Sequence, residues 1–257
     1  MASPAPATTQ QPLPLDVDEL LKYGTSKPLP FIVTDEKGMF YVDPDTAKII
    51  AAINKPLVVV SIVGKYRTGK SFFMNRLAGS NTGFSLGRGI EAKTKGIWVW
   101  PRPHPDNDKY LLLLDTEGLG DVQKGDEHHD MWIFVMAVLM STTLVWNIMG
   151  ALDHHSLEQL NFITNITEHV QTKNTQAENE QELEVHNYFP NFIVCLRDFT
   201  LELELNETSC TADEYMEHSL KPPKNEELRK QREKLCTYLK IPLTLTDATE
   251  SSMIKSA

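Results

Sequence analysis

The segment from Gly64 to Ser71 matches the pattern G-x-x-x-x-G-K-S/T, and this match constrains the fold of the chain more than any other feature. An apolar, β-branched run over residues 56–63 precedes it, and residues 72–77 after it have the composition of a helix start. In the order strand, loop and helix, the glycines allow backbone N–H groups to point inward at the positive end of the helix dipole. The sequence therefore predicts a phosphate-binding loop and not an ordinary turn.

The predicted loop assigns a role to most of its side chains. Lys70 is placed to reach the β- and γ-phosphates of a nucleotide, and Ser71 is placed to ligate Mg²⁺ through its hydroxyl. We expect every residue of the loop to belong to the nucleotide site: Gly64, Lys65, Tyr66, Arg67, Thr68, Gly69, Lys70 and Ser71.

A second motif follows the leucines at residues 111–114, where Asp115-Thr116-Glu117-Gly118 gives D-x-x-G at the end of an apolar strand. In nucleotide sites of this class the aspartate holds the Mg²⁺ shell and the glycine amide contacts the γ-phosphate. Taken alone, the segment would read as a strand that ends in an acidic turn. Its distance from Lys70 suits a neighbouring parallel strand, and we therefore assign Asp115 to Mg²⁺ and Gly118 to the nucleotide.

Strand patterns and helix patterns alternate along the chain, which predicts an α/β fold with a mostly parallel central sheet and helices on both faces. Strands are expected at residues 30–33, 39–42, 56–63, 96–100, 110–114, 143–146 and 192–196, and helices at 16–23, 43–51, 72–78, 130–140, 157–170, 211–220 and 225–239. Proline-rich residues 1–14 are expected to form a disordered tail, residues 15–240 the domain, and residues 241–257 a divergent polar tail.

Composition narrows the class of protein. A net charge of −10 over 257 residues argues against a protein that grips a nucleic-acid backbone, so no nucleic-acid partner is expected. Three scattered cysteines without C-x-x-C spacing, and no signal peptide, predict a cytoplasmic location.

Residues 131–152 are uncharged and long enough to span a bilayer, but Asn147 and the polar residues 141–143 favour a core helix followed by a strand.

Six segments together resemble the interferon-inducible guanylate-binding proteins, which are large GTPases of the dynamin superfamily. They lie between about residue 30 and about residue 239: Tyr66 to Ser71, Ala78-Gly79, Gly83 to Gly87, Thr94 to Trp98, Leu114 to Asp121, and Leu196 to Phe199. The resemblance implies a Ras-like P-loop GTPase domain, enlarged by insertions, with a role in immunity. It also implies Mg²⁺-dependent hydrolysis of GTP to GDP, and in some relatives to GMP.

The same resemblance implies a catalytic set of Arg67, Lys70, Thr94 and Glu117. Arg67 would act as an arginine finger in cis when two GTPase domains pair face to face. Thr94, in the switch loop over residues 87–96, would place its hydroxyl on Mg²⁺ and its amide on the γ-phosphate. Glu117 would belong to the network that orders the attacking water.

Recognition of guanine would fall to Asp198, a buried carboxylate that accepts hydrogen bonds from N1–H and N2–H₂ of the base, with Arg197 lining the same pocket. Adenine lacks that donor pair and would leave the carboxylate unpaired. The N-K-x-D signature of small GTPases is absent from this chain, so guanine specificity is implied by the family's R-D variant alone.

The chain departs from the family at two places. Ala92 stands where relatives carry a serine that helps order water, which suggests hydrolysis slower than binding. Relatives also continue into a guanine-capping loop, a helical domain and, in some, a prenylation box, so we expect a C-terminally incomplete domain without a lipid anchor.

The alternative to an active GTPase is a weakly active module that modulates full-length relatives. Homodimers, or heterodimers with those relatives, would form through the GTPase domains. An ATPase or kinase on the same loop is a weaker reading.

Two histidine pairs, His128-His129 and His154-His155, could suggest zinc. Adjacent residues point apart on a helix or a strand, and no further ligand stands at the right spacing. We therefore expect all four to be solvated loop residues.

Overall fold

The computed structural model describes residues 16–87, 94–120, 127–153, 156, 157, 189–220 and 230. Its main sheet has seven strands in the order β2-β1-β4-β5-β3-β6-β7. The strands are β1 (Leu29–Thr34), β2 (Phe40–Val42), β3 (Leu57–Val63), β4 (Ile97–Pro103), β5 (Tyr110–Thr116), β6 (Thr143–Met149) and β7 (Asn191–Arg197). The helices are α1 (Val17–Tyr23), α2 (Pro44–Ala51), α3 (Lys70–Leu77), α4 (Glu127–Met140) and α5 (Ala212–Leu220).

The central strand β3 pairs in parallel with β5 on one side and with β6 on the other, and β7 extends the parallel half beyond β6. β4 runs antiparallel to β5, β1 antiparallel to β4, and β2 antiparallel to β1. Five of the seven strands of the main sheet therefore run in one direction. Because parallel strands end at the same edge of the sheet, the segments that follow β3 and β5 meet at that edge. Open α/β folds bind their ligands at this carboxyl-terminal edge of the strands.

Two hydrophobic clusters cover the two faces of the sheet. Along β3, Val60 and Ile62 pack with Met74 of α3, whereas Val63 packs in the other cluster with Phe134 and Ala137 of α4. Alternate residues of a strand point to opposite faces, so α3 and α4 lie on opposite sides of the sheet. The predicted α/β architecture with helices on both faces is confirmed.

Several predicted elements are confirmed with small changes at their ends. α3 begins at Lys70 instead of residue 72, and β4 and β6 run three residues beyond the predicted ends, to Pro103 and Met149. A hairpin of β8 (Glu204–Leu205) and β9 (Thr208–Ser209), turning through two residues with positive φ, was not predicted. The predictions for Ala92, the two tails and residues 225–229 and 231–239 lie outside the described residues, as does most of the helix predicted over residues 157–170.

The uncharged stretch over residues 131–152 forms most of α4 and the whole of β6, as predicted. Within the described residues, no helix is long and apolar enough to cross a membrane.

The turn after α3 is fixed by the buried side chain of Asn75. Its Nδ2 donates to the Phe84 carbonyl at 3.0 Å, and its Oδ1 accepts from the Phe84 N–H at 2.7 Å. Phe84 packs edge-on against Trp100 of β4, with ring centroids 5.6 Å apart. At Gly83 (φ 153°) a Cβ would lie 2.1 Å from the Trp100 ring, so only glycine fits at this position. Asn75 therefore attaches the segment that leads toward Thr94 to the core.

We expect Asn75→Ala to lower the free energy of unfolding by about 2–4 kcal/mol, because both backbone groups of buried Phe84 lose their partner. Urea denaturation of the nucleotide-free protein measures this. The control is Asn81→Ala, whose exposed side chain accepts a hydrogen bond from Arg76 at 2.6 Å and whose loss should cost less than about 0.5 kcal/mol. Equal effects of the two substitutions would contradict the role given to Asn75.

Candidate nucleotide site

The loop between β3 and α3 is held in shape by contacts with the carboxyl ends of the neighbouring strands. Gly64 passes so close to β6 that a Cβ would lie 2.2 Å from the Asn147 carbonyl oxygen. Gly69, at the N-cap of α3, adopts the left-handed conformation with φ 81°. Both glycines are thus required by geometry, at the two positions where the motif places them. The loop therefore leads from β3 directly into the N-terminus of α3, where the sequence predicts the cradle of N–H groups.

Lys70, the first residue of α3, is buried, with 6% of its surface exposed. Its Nζ donates to the Lys65 carbonyl at 2.9 Å, so the ammonium group spans the mouth of the loop. Burial lowers the pKa of Lys70 to about 8, while the charges of Asp115 and Asp130 pull it upward. A cation held this way is available to a phosphate oxygen that replaces the loop carbonyl.

The three residues predicted to hold Mg²⁺ converge on one carboxylate. Asp115 is completely buried at the end of β5, and its Oδ2 accepts from Ser71 Oγ at 2.6 Å and from Thr94 Oγ1 at 3.2 Å. The two hydroxyl oxygens are 3.5 Å apart. Three separate segments of the chain thus meet at one point. They are helix α3, the residues just before β4, and strand β5.

This donor set fits a magnesium ion. The other carboxylate oxygen, Asp115 Oδ1, is buried without a hydrogen-bond partner. Burial raises the pKa of Asp115 to about 6, whereas the hydrogen bond from Ser71, the charge of Lys70 and the Thr94 hydroxyl all lower it. A buried anion with an unused oxygen beside two hydroxyls is the hard oxygen environment in which Mg²⁺ binds.

The D-x-x-G segment is bonded directly to the phosphate-binding loop. Tyr66 N–H donates to the Leu119 carbonyl at 3.0 Å, and Leu119 N–H donates to the Gly64 carbonyl at 3.1 Å. Gly118 is so close to the loop that a Cβ would lie 2.3 Å from Tyr66 Cα. The two predicted motifs therefore form one continuous backbone structure.

Glu117 is buried within this segment and faces the residues that precede β4. Its Oε2 accepts from the Gly96 N–H at 2.8 Å, and its own N–H donates to the Gly96 carbonyl at 2.8 Å. The residue predicted to order water is thus bonded to Gly96, which stands two positions after Thr94 in the sequence.

Two further residues of this region were missed by the sequence analysis. Asn147 of β6 donates through Nδ2 to the Thr68 carbonyl at 2.9 Å, and its buried Oδ1 has no hydrogen-bond partner. A polar residue inside an apolar strand was the available signal. His129 is not a solvated loop residue as predicted: it lies in α4, with its side chain 11% exposed and Nε2 3.1 Å from Glu117 Oε2. His128 is exposed on α4, and His154-His155 lie outside the described residues.

The predicted base-recognition residues lie at the carboxyl end of β7, Arg197 as its last residue and Asp198 directly after it. Arg197 Nη1 lies 3.4 Å from the Gly69 carbonyl, and its guanidinium lies 5.8 Å from the centre of the Phe72 ring. Asp198 has φ 54° and is exposed, so the prediction of a buried carboxylate is wrong. The reason is that the strand ends at Arg197 and the chain turns outward there.

Arg67 is exposed on the loop and has φ 62°. A left-handed conformation at a residue other than glycine is uncommon, and such residues cluster at active sites and switch regions. The catalytic role of Arg67 stays a prediction.

Comparison with known proteins agrees with this geometry. The family described as guanylate-binding protein, N-terminal domain, matches residues 37–241. Guanylate-binding protein 3 of Homo sapiens is 49% identical over 193 residues, which cover 74% of this chain and 32% of that protein. Guanylate-binding protein 7 of Mus musculus is 50% identical over 193 residues, or 74% of this chain and 30% of that protein. The chain spans about a third of the length of the curated relatives it matches.

Among solved structures, a variant of Era from Aquifex aeolicus bound to GDP·AlF4⁻ matches with a TM-score of 0.36 and 16% identity, covering 74% of this chain and 50% of that one. That likeness is too distant to add to the assignment. The family match covers well over half of the residues and includes every residue of the site described above. On that evidence, the chain belongs to the guanylate-binding protein family, matching its N-terminal domain.

Proposed function

We propose that this domain binds GTP together with Mg²⁺ and hydrolyses it to GDP. The observation that carries the proposal is the convergence of the Ser71 and Thr94 hydroxyls on the buried carboxylate of Asp115, next to the ammonium group of Lys70. Membership of the guanylate-binding protein family supports guanine as the base.

Binding of the phosphates depends on the loop and Lys70. The ammonium group exchanges the Lys65 carbonyl for phosphate oxygens, while the N–H groups at the start of α3 stabilise the remaining negative charge. Ser71, Thr94 and Asp115 would hold Mg²⁺, which would supply positive charge to the phosphate oxygens. The buried Asp115 carboxylate, whose charge Lys70 compensates only in part, would be stabilised in the same way.

Hydrolysis requires groups that act on the transition state. Arg67, exposed on the loop, turns its guanidinium onto the transferred phosphoryl group, and pairing of two GTPase domains favours this. Glu117 orders the attacking water. Arg197 and Asp198 surround the base, and Asp198 turns inward to accept hydrogen bonds from guanine.

The cellular context is part of the same proposal. Within the described residues Cys195 and Cys210 form no disulfide, which suits a reducing compartment, so a cytoplasmic location is part of the proposal, and the family suggests a role in immunity. Dimers with a second copy or with longer relatives are the proposed partners. Binding without turnover would favour the alternative of a modulating module.

Replacement of the loop lysine tests nucleotide binding. Lys70→Ala should weaken the affinity for a non-hydrolysable GTP analogue with Mg²⁺ by about 30-fold or more, because a buried cation facing phosphate is lost. Calorimetric titration measures this, with ATP as the competing nucleotide. Lys48→Ala is the matched control, since Lys48 is exposed on α2 and pairs with Asp45. Unchanged affinity in Lys70→Ala, or equal affinity for ATP in the wild-type chain, would refute the site or its specificity.

Arg67 can be tested by separating affinity from rate. Arg67→Ala should keep the affinity for GTP within a few-fold and reduce kcat by about 10³–10⁵, the effect of an arginine finger in GTPases. Arg67→Lys keeps the positive charge but lacks the planar guanidinium with its fixed set of N–H donors, so it should recover only part of the rate. Parallel losses of affinity and rate would make Arg67 a phosphate clamp instead.

Asp115 should destabilise the nucleotide-free protein at neutral pH. Its pKa is raised to about 6, so the group stabilises the fold below about pH 4 and this contribution is lost as the pH rises through 6. Relative to wild type, Asp115→Asn should gain roughly 2–3 kcal/mol of stability between those pH values and lose Mg²⁺-dependent nucleotide binding. Thermal unfolding with a chelator present measures the gain. Asp45→Asn, at an exposed site on α2, should show neither effect; a pH-independent difference between Asp115→Asn and wild type would contradict the explanation.

A further inference from the structure

The buried Glu117 joins three parts of the molecule through a single carboxylate oxygen. Oε2 accepts from the Gly96 N–H at 2.8 Å, two residues after Thr94, and lies 3.1 Å from Nε2 of His129. Because carboxylate oxygens only accept hydrogen bonds, Nε2 of His129 is the donor and Oε2 of Glu117 the acceptor in this contact. The contact therefore requires a proton on Nε2.

The imidazole is itself held in place. It stacks against Phe40 of β2, with ring centroids 4.8 Å apart and planes at 32°. The next residue, Asp130, accepts a hydrogen bond from the Gly120 N–H at 2.5 Å. The first turn of α4 is thus fastened to the D-x-x-G segment at two points, one a side chain and one a backbone group.

These contacts connect α4 to the residues before β4. Gly96 is hydrogen-bonded to Glu117 through both its N–H and its carbonyl. Two residues before Gly96 in the sequence, the Thr94 hydroxyl donates to Asp115. Loss of the donor on α4 would leave the Glu117 carboxylate freer to rotate about its last bonds. The His129 donor restricts this rotation, and with it the position of the group that orders water.

We propose that His129 is a positioning residue for hydrolysis: it orients the Glu117 carboxylate, keeps Gly96 bonded to it, and makes the rate depend on where α4 lies. This inference rests on the proposed function for its kinetic consequence, since Glu117 must order the attacking water. The contact with Gly96 is independent of turnover.

Two substitutions separate the hydrogen bond from the packing of the ring. His129→Phe keeps an aromatic ring beside Phe40 and removes the donor. His129→Gln removes the ring and keeps an N–H at similar reach. We expect His129→Phe to reduce kcat by about 10–100-fold with GTP affinity and KM within about twofold, as loss of an orienting partner does, and His129→Gln to recover most of the rate. Equal rates in His129→Phe and wild type, equal losses in both variants, or a loss confined to affinity would overturn the proposal.

A second measurement uses the nucleotide-free protein. Hydrogen exchange of the Gly96 amide, followed by NMR, should be faster in His129→Phe than in wild type and near wild type in His129→Gln. Unchanged exchange in His129→Phe refutes the positioning role even if the chain is an active GTPase. Conversely, if the wild-type chain does not hydrolyse GTP, the proposed function fails, and exchange at Gly96 still decides the role of His129. Should His129→Phe not fold, His129→Leu provides the same comparison with His129→Gln.

Discussion

A carboxylate without access to water is the constraint around which the site is built. Asp115 ends the strand next to β3, and the parallel register of these two strands brings it against the first turn of α3. Burial of an anion is unfavourable, and here two hydroxyls and the nearby charge of Lys70 offset it only in part. The fold therefore carries an electrostatic cost at the proposed site of the cation and the phosphate. Ligand binding can recover that cost, and affinity and stability are opposed at this residue.

Much of this could be predicted because the chemistry is local in sequence. The spacing of Gly64, Gly69 and Lys70 requires a strand, a tight loop and a helix, and a run of leucines ending in Asp115 requires a buried strand beside it. The structure confirms both, and it brings the Thr94 hydroxyl to 3.2 Å from Asp115 Oδ2, whereas the contact with Mg²⁺ that the family resemblance implied for Thr94 stays a prediction. The antiparallel pairing of β4 and β1 on one side of the sheet has no comparable signal, since it depends on which strand edges remain open once β5 has paired with β3.

The residues that were missed or misplaced have roles set by tertiary contacts. Asn147 reaches Thr68 only because β6 is in register with β3, and nothing in the sequence near Asn147 states that register. His129 was expected in a solvated loop because no further metal ligand stands at the right spacing, yet α4 begins early enough to include it and to turn its ring onto Glu117. Asp198 was expected to be buried because it follows an apolar strand, whereas its left-handed backbone directs it outward. For Asn147 and Asp198 the pattern gave the strand correctly and could not give the side-chain direction, whereas for His129 it also misplaced the start of the helix.

The close approach of Gly118 to Tyr66 has a consequence for how the D-x-x-G motif should be interpreted. A methyl group at residue 118 would overlap the backbone of the phosphate-binding loop, regardless of any phosphate. The glycine is thus a steric requirement of the empty domain as well as a candidate ligand contact. Loss of activity on lengthening this side chain would be ambiguous between a distorted scaffold and a lost interaction, so genetic variation at this codon is a poor reporter of nucleotide sensing in this family member.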